Sequence, residues 1–394
     1  MNKTTRYQYL QKTAVLLIVL QLFRFCSPAK HPDYTQLITS VKSRFAPDSR
    51  TALFDVEISS KNSKLVLTGE TTVPEARLAL LDSLGKQCWP VTDSILVLPD
   101  ASVGESCWGL VNLSCANMRS GPVHSSEMVS QVLLGAPVKI LQRARGWYRI
   151  QTADEYIGWL DSSALKPVTG LELDNWKSSK RYVYIKTEGS AYSLPNESSL
   201  PVSDLVLGNL FSVTDETAGF LHMQFPDGRI GFVLKTDCRL FTEWASATPK
   251  ISRIIETAYS LLGRPYLWGG TSVKGLDCSG LIKTAYLSQG IILARDASQQ
   301  ARYGEMLSVG DSADYEIGDL LFFGSNPDRI THVAMYIGDD HYIHAAGCVR
   351  INSLNPEHDD FSLSRKNELV SASRVLNAIC PTQIGLIKHH PWYN

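Results

Sequence analysis

The segment from residue 264 to 286 constrains the fold of this chain more than any other. It reads Arg-Pro-Tyr-Leu-Trp-Gly-Gly-Thr-Ser-Val-Lys-Gly-Leu-Asp-Cys-Ser-Gly-Leu-Ile-Lys-Thr-Ala-Tyr, a glycine-rich aromatic loop that runs directly into a cysteine. Apolar residues recur at helical spacing after Cys278, and Gly290 follows as a stop signal. Because Asp277 is a favourable N-cap residue, we predict a helix that begins at Cys278.

The position of Cys278 predicts a reactive thiol. Unpaired backbone N–H groups and the helix dipole favour a thiolate in the first turn, and a thiolate is the form that attacks a carbonyl carbon. In an exported chain, a single cysteine is more often a disulfide partner or a small buried apolar residue. A nucleophile therefore needs support from a base, which the fold brings from elsewhere in the sequence.

Two downstream histidines are candidates for that base. His332 lies in Thr-His-Val-Ala-Met-Tyr-Ile-Gly, whose β-branched and aromatic alternation predicts a strand. His344 follows twelve residues later, in a second short strand after a Gly-Asp-Asp turn. We expect the two side chains to face each other on neighbouring strands, one as base and the other orienting its second ring nitrogen. His341 falls in the turn, where a solvated histidine is expected.

Residues 250–378 resemble the NlpC-type papain-like cysteine peptidases, bacterial enzymes that cut cell-wall peptides. The family pattern is Pro-Tyr-x-Trp-Gly-Gly, Asp-Cys-Ser-Gly, a histidine before Val-x-x-Tyr-Ile-Gly, and a later polar residue, and each part is present in this order. The resemblance implies that Cys278 is the nucleophile, His332 the general base and His344 the residue that orients it. It also implies that the Tyr266 hydroxyl and the Cys278 N–H hold the oxyanion.

A zinc site is the alternative for the same three side chains. Cys278, His332 and His344 are of zinc-ligand types, but the sequence offers no fourth ligand at a structural-site spacing. Asp277 suits a cap as well as a ligand. We therefore predict neither a metal nor an organic cofactor.

The N-terminus predicts export. Basic residues precede an apolar run from 14 to 22, which suits a signal peptide and is too short to span a bilayer stably. Cys26 suggests a lipid anchor, whereas cleavage near residues 27–29 is an equal alternative. We expect a monomer in the periplasm or cell envelope. The balance of 38 basic against 39 acidic residues predicts no nucleic-acid partner.

The fold class we predict is multidomain α+β. After a signal peptide at 1–29, a small α/β unit at 30–105 shows no visible chemistry. Short strands and turns at 106–168, with Asn-Met-Arg-Ser-Gly-Pro, Gly-Trp-Tyr and Gly-Trp-Leu, resemble a bacterial SH3-like barrel. Residues 169–246 repeat the scheme less clearly, and a papain-like catalytic domain occupies 247–394. Such barrels bind wall peptides or pack against the catalytic domain.

Two barrels before an NlpC-type domain resemble the γ-D-glutamyl-diamino-acid dipeptidyl peptidases, which act on muropeptides with a free N-terminal L-alanine. The resemblance implies that the first barrel walls off the cleft and that an aromatic residue closes the pocket, for which Tyr156 is our candidate and Glu127 a weaker one. A buried ammonium needs a carboxylate, and Asp296 stands where this group carries an Arg-Asp pair. Its alternative role is an N-cap for a helix at 297–303. The remaining candidate substrate contacts are Asp277, Ser279, Trp268 and Arg295.

This resemblance implies hydrolysis of the bond between γ-D-glutamate and a diamino acid in peptidoglycan-derived peptides, with release of L-Ala-γ-D-Glu. Three alternatives stay open: an endopeptidase that cuts intact wall, an acyltransferase, and a non-catalytic wall-binding protein. Six further cysteines allow three disulfides, although their spacing fits no recognisable framework. They are Cys88, Cys107, Cys115, Cys238, Cys348 and Cys380.

Overall fold

The fold is taken from a computed structural model of the chain. It describes residues 33–61, 64–86, 90–310, 314–376 and 385–394. The predicted signal peptide, Cys26, Cys88 and Cys380 lie outside the described residues. Among the helices that are described, none has the length and apolar character needed to cross a membrane.

The described chain divides into two compact units. One comprises the described residues up to 47 together with 54–96, and the other comprises 48–53 and 97–394. Residues 48–53 and 97–105, which the sequence grouped with the N-terminal α/β unit, are therefore grouped with the barrels and the catalytic domain.

The first unit is a three-stranded antiparallel sheet with two helices. Its elements are α1 (Thr35–Phe45), β1 (Phe54–Lys61), β2 (Lys64–Thr71), α2 (Pro74–Gly85) and β3 (Val91–Val97), and the strand order is β1-β2-β3. Leu65 and Leu67 alternate into the core from β2, while Ala76, Leu80 and Leu84 are buried at helical spacing on α2. Pro74 opens α2, where its missing N–H costs nothing.

The second unit begins with a seven-stranded antiparallel barrel, in the order β10-β4-β7-β8-β9-β5-β6. Its strands are β4 (Trp108–Val111), β5 (Cys115–Arg119), β6 (Met128–Leu133), β7 (Pro137–Ala144), β8 (Trp147–Gln151), β9 (Ile157–Asp161) and β10 (Leu165–Val168). Met118, Ile140, Ile150 and Leu160 fill its interior without exposure. The alternation along these strands points one face inward.

A second seven-stranded barrel follows helix α3 (Gly170–Ser178), which begins with a capping box of Thr169 and Glu172. Its strands are β11 (Arg181–Tyr184), β12 (Glu188–Tyr192), β13 (Pro201–Val206), β14 (Leu210–Thr217), β15 (Phe220–Gln224), β16 (Ile230–Leu234) and β17 (Cys238–Leu240). Phe211, Leu221 and Met223 form the centre of its core. Helix α4 (Phe241–Ser246) then leads into the C-terminal domain.

The C-terminal domain packs a cysteine-bearing helix against a six-stranded sheet, β21-β26-β22-β23-β24-β25. Its helices are α5 (Ile251–Ser260), α6 (Cys278–Leu287), α7 (Ala297–Gln300) and α8 (Leu363–Glu368). Its strands are β18 (Thr271–Ser272), β19 (Gly275–Leu276), β20 (Ile291–Ile292), β21 (Glu305–Leu307), β22 (Leu320–Gly324), β23 (Ile330–Gly338), β24 (His341–Ala346), β25 (Cys348–Ser353), β26 (Leu369–Arg374) and β27 (Gly385–Leu386). Leu281, Ile282 and Ala285 of α6 share one buried core with Val333 and Ile343 of the sheet.

Three sequence predictions need correction. His341 is not in the turn: it is the first residue of β24, partly buried, and pairs with Ser353 in β25. The helix after Asp296 ends at Gln300 and does not reach 303. Among the described cysteines, positions 107, 115, 238, 278 and 348 are free thiols, so the three disulfides do not form.

Candidate active site

Cys278 opens on a cleft of about 430 Å³ in the second unit. Three parts of the chain line it: the segment 48–53, the first barrel and the catalytic domain. The lining side chains relevant to chemistry are Arg50, Glu127, Tyr156, Tyr266, Trp268, Asp277, Cys278, Ser279, Arg295, Asp296 and Ser298. A second cavity of about 90 Å³, lined by Asp154 and Lys283, does not include Cys278.

The helix start predicted for Cys278 is confirmed. Asp277 is the N-cap of α6, and its Oδ1 accepts from the Gly280 N–H at 2.7 Å. A Cβ on Gly280 would lie 1.9 Å from the Gly270 carbonyl oxygen, so only glycine allows the loop to pass this close. The Gly-Gly and Cys-Ser-Gly parts of the motif therefore fit together as one mount for the thiol.

A buried ion pair holds the mount in place. Arg295 is 1% exposed, and its Nη2 donates to Asp277 Oδ2 at 2.6 Å. Arg295 Nη1 also donates to Ser279 Oγ at 3.0 Å, and Ser279 Oγ donates to Asp277 Oδ1 at 3.2 Å. The polar side-chain atoms of Asp277 and Ser279 are thus engaged with the protein, which makes them supports for Cys278.

The two histidines lie on neighbouring strands and contact each other, as predicted. His332 Nε2 lies 2.8 Å from His344 Nδ1, and both residues are buried. Cys278 Sγ receives a backbone hydrogen bond from Val333, the residue that follows His332. Strand β23 therefore lies against the thiol at the residue next to His332.

Asn352 adds a third member to this series of hydrogen bonds, and the sequence analysis missed it. Its Nδ2 donates to the Asp360 carbonyl oxygen at 2.7 Å, which directs its Oδ1 toward His344 Nε2 at 2.9 Å. An amide oxygen only accepts, so His344 carries its proton on Nε2 and accepts at Nδ1. His332 then donates from Nε2 and keeps its lone pair on Nδ1, the form that a base needs.

Burial sets the protonation of the thiol and the imidazoles. It raises the pKa of Cys278 to about 11, and the Asp277 carboxylate acts in the same direction. Burial also lowers the pKa of His332 to about 2, with Arg365 and His344 adding to the effect, and lowers that of His344 to about 4. The expected resting thiolate is therefore wrong: desolvation outweighs the helix dipole, and the thiol and imidazole are both neutral.

The geometry also bears on the zinc alternative. The hydrogen bond between His332 and His344 uses the proton of one ring and the lone pair of the other, so the two rings do not offer two lone pairs to one ion. Over the described residues, the metal-type cluster is His341, His358 and Asp360. The ring planes of His341 and His358 are stacked, with an angle of 12° between them. Because an imidazole lone pair lies in the plane of its ring, the two lone pairs do not converge on one ion.

Tyr266 and Trp268 border the cleft from the glycine-rich loop. Burial raises the pKa of Tyr266 to about 12, and the neighbouring Cys278 adds to the shift. The phenol is therefore a neutral hydrogen-bond donor beside the thiol. Trp268 Nε1 donates to Glu127 Oε1 of the first barrel at 2.6 Å, which ties the loop to that barrel.

Tyr156 and Asp296 meet in the same cleft as Cys278. The Tyr156 hydroxyl donates to Asp296 Oδ2 at 3.2 Å, and burial followed by this carboxylate raises the pKa of the phenol. Asp296 is also the N-cap residue of α7, which is the alternative role expected for it. Arg50 Nη1 donates to the same Oδ2 at 2.8 Å. No local pattern identified Arg50, because its partner is 246 positions away.

Comparison with known proteins gives two family matches. Residues 263–362 match the model of the NlpC/P60 family, and residues 118–165 match that of the bacterial dipeptidyl-peptidase SH3 domain. A Lysinibacillus sphaericus protein named dipeptidyl-peptidase 6 is 30% identical over 264 residues, which cover 62% of this chain and 90% of that protein. A Bacillus cereus protein named gamma-D-glutamyl-L-lysine dipeptidyl-peptidase is 26% identical over 71% of this chain and 86% of its own length.

Solved structures contain the same fold. The crystal structure of an NlpC/P60 family protein from Bacillus cereus aligns with a TM-score of 0.59 at 24% identity, over 68% of this chain and 99% of that one. An endopeptidase structure from Photobacterium damselae aligns with a TM-score of 0.53 at 18% identity, over 71% of this chain and 73% of that one. The predicted multidomain α+β fold, with an SH3-like domain before the catalytic domain, is confirmed.

Proposed function

Since the chain belongs to the NlpC/P60 family of cysteine peptidases, we propose that it cuts the bond between γ-D-glutamate and a diamino acid in cell-wall peptides with a free N-terminal L-alanine. The observation that carries this proposal is the contact between Tyr156 and Asp296 in the cleft that holds Cys278. There Tyr156 from the first barrel hydrogen-bonds Asp296, and Glu127 and Cys278 line the same cleft. We propose that Tyr156 limits the cleft to a short stem with a free N-terminus and excludes a longer or capped one.

The acylation step begins with a proton transfer inside a neutral pair. The Cys278 thiol gives its proton to His332 Nδ1, and the thiolate adds to the γ-carbonyl carbon of D-glutamate. The oxyanion is stabilised by the Tyr266 hydroxyl and by the Cys278 N–H, one of the unpaired donors of the first helical turn. The C–N bond then breaks as His332 returns the proton to the leaving amine.

The deacylation step uses the same groups in reverse. His332 Nδ1 takes a proton from water, and the resulting hydroxide adds to the thioester carbonyl. The C–S bond breaks, Cys278 recovers its proton from His332, and L-Ala-γ-D-Glu leaves with a new γ-carboxyl group, which loses its proton to solvent. Release of a free dipeptide suits the recycling of wall fragments.

Product identification tests the proposal. We expect the purified enzyme to convert L-Ala-γ-D-Glu-diamino acid tripeptides into L-Ala-γ-D-Glu and the free diamino acid, as measured by mass spectrometry. C278A should retain the thermal unfolding transition of the wild type and release no dipeptide. Turnover by C278A would contradict the proposal, and a new amide formed with an added amine would favour the acyltransferase alternative.

We further propose that the enzyme acts outside the cytoplasm. The proposal is supported by the basic and apolar N-terminal residues, with Cys26 available for a lipid anchor. Cell fractionation and the mass of the mature N-terminus distinguish a cleaved, soluble form from a lipidated one.

A further inference from the structure

The backbone around Arg50 is fixed to the first barrel. The Ile157 N–H donates to the Arg50 carbonyl oxygen at 2.7 Å, and the Gln151 side-chain amide donates to the Thr51 carbonyl oxygen at 3.0 Å. Leu53 packs in a small apolar cluster with Ile157. A side chain on this segment therefore enters the cleft from a rigid support.

Two carboxylates fix the Arg50 guanidinium. Its Nε and Nη2 donate to the two oxygens of Asp48 at 2.8 and 2.7 Å. Its Nη1 reaches Asp296 Oδ2 at 2.8 Å and Ser298 Oγ at 3.0 Å. Burial alone would lower the pKa of Arg50, but the carboxylates of Asp48 and Asp296 outweigh burial and raise this pKa above its usual value. Burial likewise opposes the Asp48 anion, yet Arg50 and Gln299 bring its pKa down to about 2.

Both carboxylate oxygens of Asp296 therefore already have a cationic neighbour. The sequence predicted Asp296 as the carboxylate that binds the substrate ammonium. In the structure, Arg50 Nη1 lies 2.8 Å from one of its oxygens and Arg295 Nη1 lies 3.7 Å from the other. A ligand that brought only an ammonium would leave Arg50 without this partner. The site favours a ligand that carries both charges.

The substrate class of the proposed function carries both charges close together. A D-glutamate linked through its γ-carboxyl keeps a free α-carboxylate, and one amide bond separates it from the L-alanine ammonium. Such a ligand replaces the Arg50–Asp296 pair with two new ones, ammonium to Asp296 and carboxylate to Arg50. An arginine fork suits carboxylate geometry better than a lysine ammonium does.

We infer that Arg50 is a specificity residue that binds the free α-carboxylate of the γ-linked D-glutamate. The inference rests on the proposed function. A substrate whose α-carboxylate is amidated gains no ion pair with Arg50 and leaves the Arg50–Asp296 pair to compete with the alanine ammonium. The enzyme therefore selects the carboxylate form.

Two tripeptides that differ only in this group test the inference. We expect wild type to prefer the α-carboxylate form over the α-carboxamide form by about 10- to 100-fold in kcat/KM, the effect of a charged hydrogen bond. R50M should lose this preference by a selective fall on the carboxylate substrate, with the carboxamide substrate changed by less than about threefold. R50K should give an intermediate preference.

R229M is the matched control. Arg229 forms the same Asp-x-Arg arrangement in the second barrel, with its Nε 2.7 Å from Asp227 Oδ2, and it does not line the cleft. We expect R229M to keep the wild-type preference, and thermal unfolding of each variant checks the fold.

The outcomes separate the two proposals. Equal loss on both substrates in R50M would mean that Arg50 only positions Asp296, and equal wild-type rates on the two substrates would likewise overturn the inference. A wild-type enzyme that releases dipeptide from neither substrate would instead overturn the proposed function.

Discussion

At the residue scale, the site depends on a directed series of hydrogen bonds. The Asp360 carbonyl fixes Asn352, Asn352 fixes the tautomer of His344, and His344 fixes that of His332. The base lone pair beside Cys278 is thus set by a backbone group outside the strands. Since both the thiol and the imidazole are neutral, charge separates only when the proton moves between them.

N352L tests this series. Leucine conserves shape but removes the acceptor for His344 Nε2, so both histidines are free to change tautomer. We expect kcat/KM to fall by about tenfold, the effect of one lost hydrogen bond.

The pH dependence of the wild-type enzyme gives a separate prediction. The acid limb of its kcat/KM profile should lie below pH 6.5, because burial lowers the pKa of His332 and His344.

N355L is the control for N352L. Asn355 lies two residues after the end of β25, and its Nδ2 donates to Asp340 Oδ2 at 3.2 Å, with no hydrogen bond to His332 or His344 among the described contacts. Wild-type kinetics in N352L, or an equal loss in N355L, would show that Asn352 does not set the tautomer.

At the element scale, the glycine-rich loop is shaped by the barrel as well as by the helix. Gly269 has φ +79°, and a Cβ there would lie 2.3 Å from the Met128 carbonyl oxygen of β6. Its N–H donates to Asp277 Oδ2 at 3.1 Å. This glycine therefore joins the barrel, the loop and the N-cap of α6.

G269A and G263A separate backbone strain from the barrel contact. Gly263 has φ +80° but open space where a Cβ would stand. We expect G263A to lower the free energy of unfolding by about 1 kcal/mol, and G269A to lower it by a further ~1–3 kcal/mol from overlap with Met128. Denaturant titration measures both, and equal losses would mean that β6 does not restrain the loop.

Elements were more predictable than the site they form. The helix at Cys278 and the strands of His332 and His344 follow from caps and periodicity, which are local. Arg50 and Asn352 escaped because their roles depend on partners brought together by the fold. The thiol protonation was mistaken for the same reason: a sequence shows the helix dipole near Cys278, but not that the side chain is buried.

At the scale of the whole second unit, the first barrel and the catalytic domain together form the cleft that holds Cys278. Lys283 of α6 donates to Asp154 of the first barrel at 2.7 Å in a buried ion pair. Burial alone would raise the pKa of Asp154, but the Lys283 ammonium outweighs burial and the pKa is lowered. Such a contact fixes the barrel wall relative to Cys278. The N-terminal segment adds Arg50 to that wall.

The kcat/KM for L-Ala-γ-D-Glu-diamino acid, compared with that for the same tripeptide acetylated on its alanine nitrogen, tests the central claim most directly. Acetylation removes the ammonium and adds bulk against Tyr156, so we expect a loss of more than about 100-fold. Product masses should show dipeptide release from the free substrate alone. Equal cleavage of both tripeptides would contradict the account and identify the enzyme as an endopeptidase.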